Sequence, residues 1–149
     1  MTRSTSRSAA RLAAVQALYQ QEMEGTPTPR LINEFHAHRL GATIEDVTYA
    51  AAEGDFFDDL VRGTAARLGE SDELITARLA DGWTLARLDK PMKALLRVGA
   101  YELLARRDVP VATVLTEYVD VAKAFYDKRE AGFVNGLLDA LAKAARPAA

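Results

Sequence analysis

An all-α protein of about seven helices, arranged as two small bundles packed against each other, is what this sequence predicts. Three observations carry the prediction. Apolar residues recur at helical spacing in nearly every segment, and no run alternates strictly enough to be a strand. Glycines stand singly at the ends of those segments, as at Gly25, Gly41 and Gly69. The connections are short, which makes successive helices antiparallel neighbours, and seven helices are too many for one four-helix core. At 149 residues and 49% apolar, the chain can bury a core without metal or crosslinks. One domain is expected over residues 1–149, with subdomains at about 1–70 and 71–149.

The first helix is expected to begin between Thr5 and Ser8 and to run to about Glu24, burying Leu12, Val15, Leu18 and Tyr19 before Gly25 stops it. Thr26-Pro27-Thr28-Pro29 forms a turn and opens a second helix over 29–40, with Leu31, Ile32, Phe35 and Leu40 inward and Gly41 closing it. Residues 42–54 are rich in alanine and acids and read as a surface excursion. Thr43 with Asp46 could cap a short helix there. A third helix, 55–69, buries Phe56, Phe57, Leu60, Val61, Ala65 and Leu68 and ends at Gly69. Asp55, Asp58 and Asp59 fall in its first turn, where the dipole favours negative charge.

Ser71 is expected to cap a fourth helix that runs through Ala80 on Leu74, Ile75 and Leu79. Trp83 and Leu85 bridge to a fifth, 89–107, with Asp89 as N-cap and a stripe of Leu88, Met92, Leu95, Leu96, Gly99 and Leu103. Val109-Pro110 starts the sixth, 111–126, lined by Val111, Leu115, Tyr118, Ala122 and Phe125. A polar turn from Tyr126 to Gly132 precedes the last, built on Phe133, Val134, Leu137, Leu138 and Leu141. Residues 143–149 are expected to fray.

Several classes of function are disfavoured. With no cysteine there is no disulfide, thiolate metal site or thiol nucleophile, which suits a reducing cytoplasm. The basic N-terminal segment lacks the apolar core of a signal peptide, and no stretch approaches the ~18 apolar residues of a membrane span. No catalytic constellation can be assembled. Ser4, Ser6, Ser8 and Ser71 lie in the tail or at a cap, with no histidine near them in sequence. His36 and His38, two apart on a helix, point to different faces and read as surface residues, not metal ligands. No glycine-rich phosphate loop occurs. The expectation is no enzyme, no metal and no cofactor.

Charge distribution is more informative than the net charge of −2. Residues 1–21 carry Arg3, Arg7 and Arg11 and no acid, so they are +3 and the remainder is −5. Spaced four apart, the arginines form one slowly drifting helical stripe, and guanidinium groups suit phosphate oxygens and base planes. An ordinary charged terminus would look the same. Tyr19, two turns past Arg11, can stack a base or pack into the core. Lys123, Lys128 and Arg129 surround the turn before Phe133-Val134-Asn135-Gly136, where Asn135 can read base edges or satisfy local backbone.

These residues also resemble a known family. Arg11 with Ala14-Val15-Gln16-Ala17-Leu18-Tyr19, Ala94-Leu95-Leu96-Arg97 followed by Tyr101-Glu102-Leu103, Asp108-Val109-Pro110, Ala122-Lys123 with Phe125, and Phe133-Val134-Asn135-Gly136-Leu137-Leu138-Asp139 match, in order and separation, the NusB transcription-antitermination family. The resemblance covers almost the whole chain. It implies a NusB-like all-α fold of two bundles and no enzymatic activity. The implied partners are NusE, which is also a small-subunit ribosomal protein, boxA-type single-stranded RNA bound jointly with it, and the RNA polymerase antitermination complex acting on ribosomal RNA operons.

Carried over by position, the resemblance implies RNA contacts from Arg3, Arg7, Arg11 and Tyr19, completed by Lys128, Arg129 and Phe133. It places Met92 and Val111 near the partner face. The chain departs from the family pattern at Ser8, where a further basic residue is common, and at Thr116-Glu117-Tyr118, where the family often has Asn-Glu-Ala. The 42–54 excursion reads as an insertion.

Two other readings stay open at this point. One is a helical accessory that holds substrate for a separate RNA-modifying enzyme, since no cofactor-binding βαβ pattern occurs in the chain. The other is a protein-interaction module without RNA contact, which binding to NusE that survives nuclease, with no shift of boxA-type RNA, would favour. Whether the free protein is a monomer or a homodimer is also open.

Overall fold

The computed structural model describes residues 3–38, 43–44, 47–48 and 53–147. Seven α-helices follow in chain order: α1 Arg3–Glu24, α2 Thr28–His38, α3 Gly54–Ala66, α4 Leu68–Thr76, α5 Lys90–Ala105, α6 Val111–Phe125 and α7 Lys128–Ala145. A 3-10 turn, Leu85–Arg87, precedes α5. Among the described residues no helix is long and apolar enough to cross a membrane.

The helices form two bundles joined along a seam. In the first, α1, α2 and α3 pack on one another; in the second, α4, α6 and α7 surround α5. α5 also lies against α1 and α3, so it closes both bundles. Its sequence explains this position. Met92, Ala94, Leu95, Leu96, Val98, Gly99, Ala100, Tyr101 and Leu103 are all buried, a band too wide for an ordinary amphipathic surface helix. Small residues let its neighbours approach closely. A Cβ on Gly63 of α3 would lie 2.0 Å from the Tyr101 ring, so only glycine fits at that crossing. Gly25 ends α1 at φ +71, a left-handed conformation that costs glycine little.

Several boundaries differ from the sequence reading. Residues 42–54 were expected to be an excursion with a possible short helix. Thr43–Ile44 instead pairs antiparallel with Val47–Thr48, Thr43 opposite Thr48 and Ile44 opposite Val47. The expected roles of Leu40, Gly41 and Asp46 lie outside the described residues. α3 stops at Ala66 and α4 starts at Leu68, so Gly69 lies inside α4 and does not end α3. Ser71 is not the N-cap of α4. It sits within the helix, fully buried, and its hydroxyl has no hydrogen-bond partner among the described residues.

α7 begins at Lys128, four residues before the expected end of the turn, and Gly132 is an exposed helical position. Phe125, expected to face inward, is 38% exposed. The last helix does not fray at residue 143. Arg146 anchors its end by donating to the carbonyls of Leu103 (2.7 Å), Val109 (2.5 Å), Glu102 (3.1 Å) and Arg106 (2.7 Å). One guanidinium thereby ties the end of α7 to the last turn of α5 and to the segment that follows it.

Candidate nucleic-acid interface

The arginine stripe of α1 does not present a uniform basic face, because burial divides its members. Arg11 is 2% exposed and Glu102 of α5 is fully buried. Arg11 meets Glu102 in a bidentate pair, Nε to Oε1 at 2.9 Å and Nη2 to Oε2 at 2.7 Å. The Tyr118 hydroxyl of α6 donates to the same carboxylate at 2.7 Å. Glu117 lies 3.3 Å from Arg11 Nη1 and accepts from the Ser8 hydroxyl at 2.8 Å. Desolvation alone would lower the Arg11 pKa, but the Glu102 hydrogen bond and charge outweigh it and the guanidinium stays charged. Burial and Glu102 together push the Tyr118 hydroxyl well above its ordinary value. Arg11, expected among the RNA contacts, is turned inward in this structure. It pins α1 to α5 and α6.

Arg7, one turn earlier, reaches the surface. Its Nε donates to Glu53 at 3.2 Å, and its guanidinium lies 4.5 Å from the Phe56 ring centroid. Arg11 and Arg106 lie at 5.0 and 4.9 Å from the same ring, so Phe56 sits among three cations. Arg106 is also held by Asp59 and Asp108, and Tyr101 donates to Asp59 at 2.7 Å. Two of the three aspartates read as helix-capping charge thus bridge elements instead: Asp59 reaches α5, and Asp58 lies 2.6 Å from His36 Nε2 of α2. Arg3 begins α1. Tyr19 is half-buried against the core.

Lys128, Arg129 and Phe133 form the exposed first turns of α7, Phe133 at 41% exposure. The structure brings Arg129 and Phe133 together with Met92 in one groove of about 530 Å³, although sequence reading had assigned Met92 to a different partner. Trp83, 53% exposed, and Tyr126 line it too. The Tyr126 hydroxyl donates to both Asp89 oxygens at 2.8–2.9 Å, tying the start of α7 to the start of α5. Asp89 stands at the N-cap position of α5, but its side chain makes no capping bond. Val111 lies apart, half-buried at the start of α6. Arg7 opens onto a separate recess beside Asp108, Pro110 and Thr113.

Sequence reasoning missed Glu102, Trp83 and Glu130. For Glu102 the signal was present: an acid on the apolar band of a helix needs a buried cation. Trp83 read as a bridge because exposure of a lone aromatic in an irregular segment depends on what packs over it. Among the described residues no cluster of His, Cys, Asp and Glu could hold a metal ion.

The fold and site define a two-bundle all-α scaffold whose N-terminal arginines are braced from within and whose second bundle carries an aromatic groove. Residues 8–143 match the family model described as NusB family. The chain is 67% identical over 144 residues to a transcription antitermination protein NusB of Sphingopyxis alaskensis, covering 97% of each chain. It is 50% identical over 140 residues to that of Caulobacter vibrioides, covering 94% of each. Among solved structures, T. maritima NusB overlays with a TM-score of 0.77 at 28% identity, covering 99% of this chain and 94% of that one. A chain in the crystal structure of antitermination factors NusB and NusE in complex with dsRNA overlays at 0.79 and 26% identity, covering 97% and 99%. The chain belongs to the NusB family.

Proposed function

We propose that this protein is a transcription antitermination factor that binds boxA-type single-stranded RNA together with NusE and promotes processive transcription of ribosomal RNA operons. It acts in the cytoplasm within the RNA polymerase antitermination complex, as a binding protein and not an enzyme. The observation that carries this reading is the overlay along 97% of the chain on a NusB fold crystallised with NusE and RNA. Arg3, Arg7, Lys128, Arg129 and Phe133 supply the RNA contacts, with Tyr19 at the edge. Arg11 supports them from within. Met92 and Val111 belong to the face that receives NusE.

In this mechanism cations neutralise phosphates and set register, while aromatic planes and polar groups select bases. Arg7 would exchange Glu53 for a phosphate oxygen, a charge-assisted pair of the same geometry. The test is fluorescence anisotropy of a labelled boxA-type RNA with this protein, with NusE, and with both, at two ionic strengths. The pair should bind more tightly than either protein, and single-stranded RNA more tightly than its duplex. Arg7→Ala should lower the log–log salt slope by nearly one unit. No affinity for RNA, even beside NusE, would sink the reading.

A further inference from the structure

Each of the guanidinium groups gathered at Phe56 is met by carboxylate, and at Arg7 that carboxylate is Glu53. Glu53 stands at the N-cap position of α3 but makes no capping bond. Its side chain reaches α1 instead, where Oε2 accepts from Arg7 Nε at 3.2 Å. Its own N–H donates to the Ser6 carbonyl at 3.1 Å, so the acid is fastened beside Arg7 by backbone as well as by charge. The two side chains are 15% and 30% exposed, which leaves the pair within reach of a ligand from solvent. The recess onto which Arg7 opens is lined by Asp108 and Glu117 as well. Arg11 and Arg106 are already engaged, the first by Glu102 and Glu117 and the second by Asp59 and Asp108. An arginine that is conspicuous in the sequence is thus surrounded by acid in the fold.

We infer that Glu53 is an intramolecular competitor for RNA at Arg7: its carboxylate holds the guanidinium in the free protein and is displaced when a phosphate binds. This rests on the RNA reading above and makes the exchange at Arg7 a limit on affinity. Carboxylate and phosphate oxygens present the same acceptor geometry to a guanidinium, so one excludes the other at a shared N–H. An acid on the same chain competes at a high effective concentration. The opposite role, orienting Arg7 for RNA, is already filled by Phe56. That side chain is 1% exposed, and its ring centroid lies 4.5 Å from the guanidinium, so the cation keeps its place when the acid leaves. The freed carboxylate also has somewhere to go, because it stands at the N-terminus of α3, where the dipole favours negative charge.

The experiment is a double-mutant cycle on the full chain with NusE present. Anisotropy of a labelled boxA-type RNA is read for the parent, Glu53→Gln, Arg7→Ala and the double variant, with circular dichroism alongside. Glutamine keeps the size of glutamate and removes its charge. Glu53→Gln should tighten RNA binding about three- to fivefold, the scale of a partly exposed ion pair, with circular dichroism unchanged. In the Arg7→Ala background the same replacement should change affinity by less than about 1.5-fold, since the group it competes for is gone.

Unchanged or weaker binding by Glu53→Gln would overturn the proposal. So would an equal gain in both backgrounds, which would be a general effect of net charge. Parental affinity in Arg7→Ala would overturn it too, by removing Arg7 from the contact, and would leave RNA binding to the remaining residues. No binding by any variant beside NusE would overturn the RNA reading itself.

Discussion

Arg11 and Glu102 occupy positions where a charge survives only when an opposite charge and further hydrogen bonds meet it. Four side chains share that task across three helices, and removing one leaves the rest without compensation. Arg11→Ala should therefore cost about 3–5 kcal/mol in urea unfolding, because Glu102 would be left buried and unpaired. If RNA affinity falls, the salt slope should hold; a slope lowered by nearly one unit would return Arg11 to the phosphate-contacting group. Gly63 is constrained by space. Gly63→Ala should destabilise by about 1–3 kcal/mol or more, since the new methyl overlaps the Tyr101 ring and must push α3 from α5. A melting temperature equal to that of the parent would show that the crossing relaxes freely.

Elements meet where their ends are satisfied, and the ends here use unexpected residues. The last turn of α5 receives Arg146, some forty residues later in sequence, on the Glu102 and Leu103 carbonyls. α4 starts directly after Arg67 with no side-chain cap. Ser71 tests that account. A capping serine would lose about 1 kcal/mol on replacement by alanine. Ser71 instead buries a hydroxyl without a partner among the described residues, so Ser71→Ala should be neutral or stabilising by urea midpoint. A clear loss of stability would mean that the hydroxyl has a partner in solution.

Taken as one cooperative unit, the protein ties its two bundles together through α5, and the ties include tyrosines as well as arginines. Burial, together with the Asp59 hydrogen bond, pushes the Tyr101 hydroxyl up to about 12. Tyr118 and Tyr126 are raised by burial and by Glu102 and Asp89 respectively. An unfolded tyrosine titrates near 10. The folded state thus holds these protons more tightly. Their contribution is complete below about pH 10 and is lost as pH rises through the folded values. Stability measured by urea should fall steeply between about pH 10 and 12, and Tyr101→Phe should make that limb shallower. An unchanged limb would remove Tyr101 from the linkage. Arg7 on α1 and Arg129 on α7 open onto separate recesses of the folded molecule.

The sequence alone determined the seven helices, most of their apolar faces and the family, because hydrophobic period and short motif order are local properties of the chain; Phe125 and Phe133, expected inward, are exposed. Phe35, Leu60, Leu95 and Leu138 are buried as their spacing requires. It also made the N-terminal arginines conspicuous. Which of them reaches the surface was decided only by the tertiary structure. Arg7 and Arg11 are equivalent by spacing, yet Glu102 and Tyr118, roughly ninety and one hundred residues away in sequence, turn one inward. The groove that joins Met92, Trp83, Glu130 and Phe133 is likewise a product of packing between α5 and α7. Charge is written in the sequence, but its availability depends on what lies opposite, and that neighbour is set by long-range contacts that local periodicity does not encode.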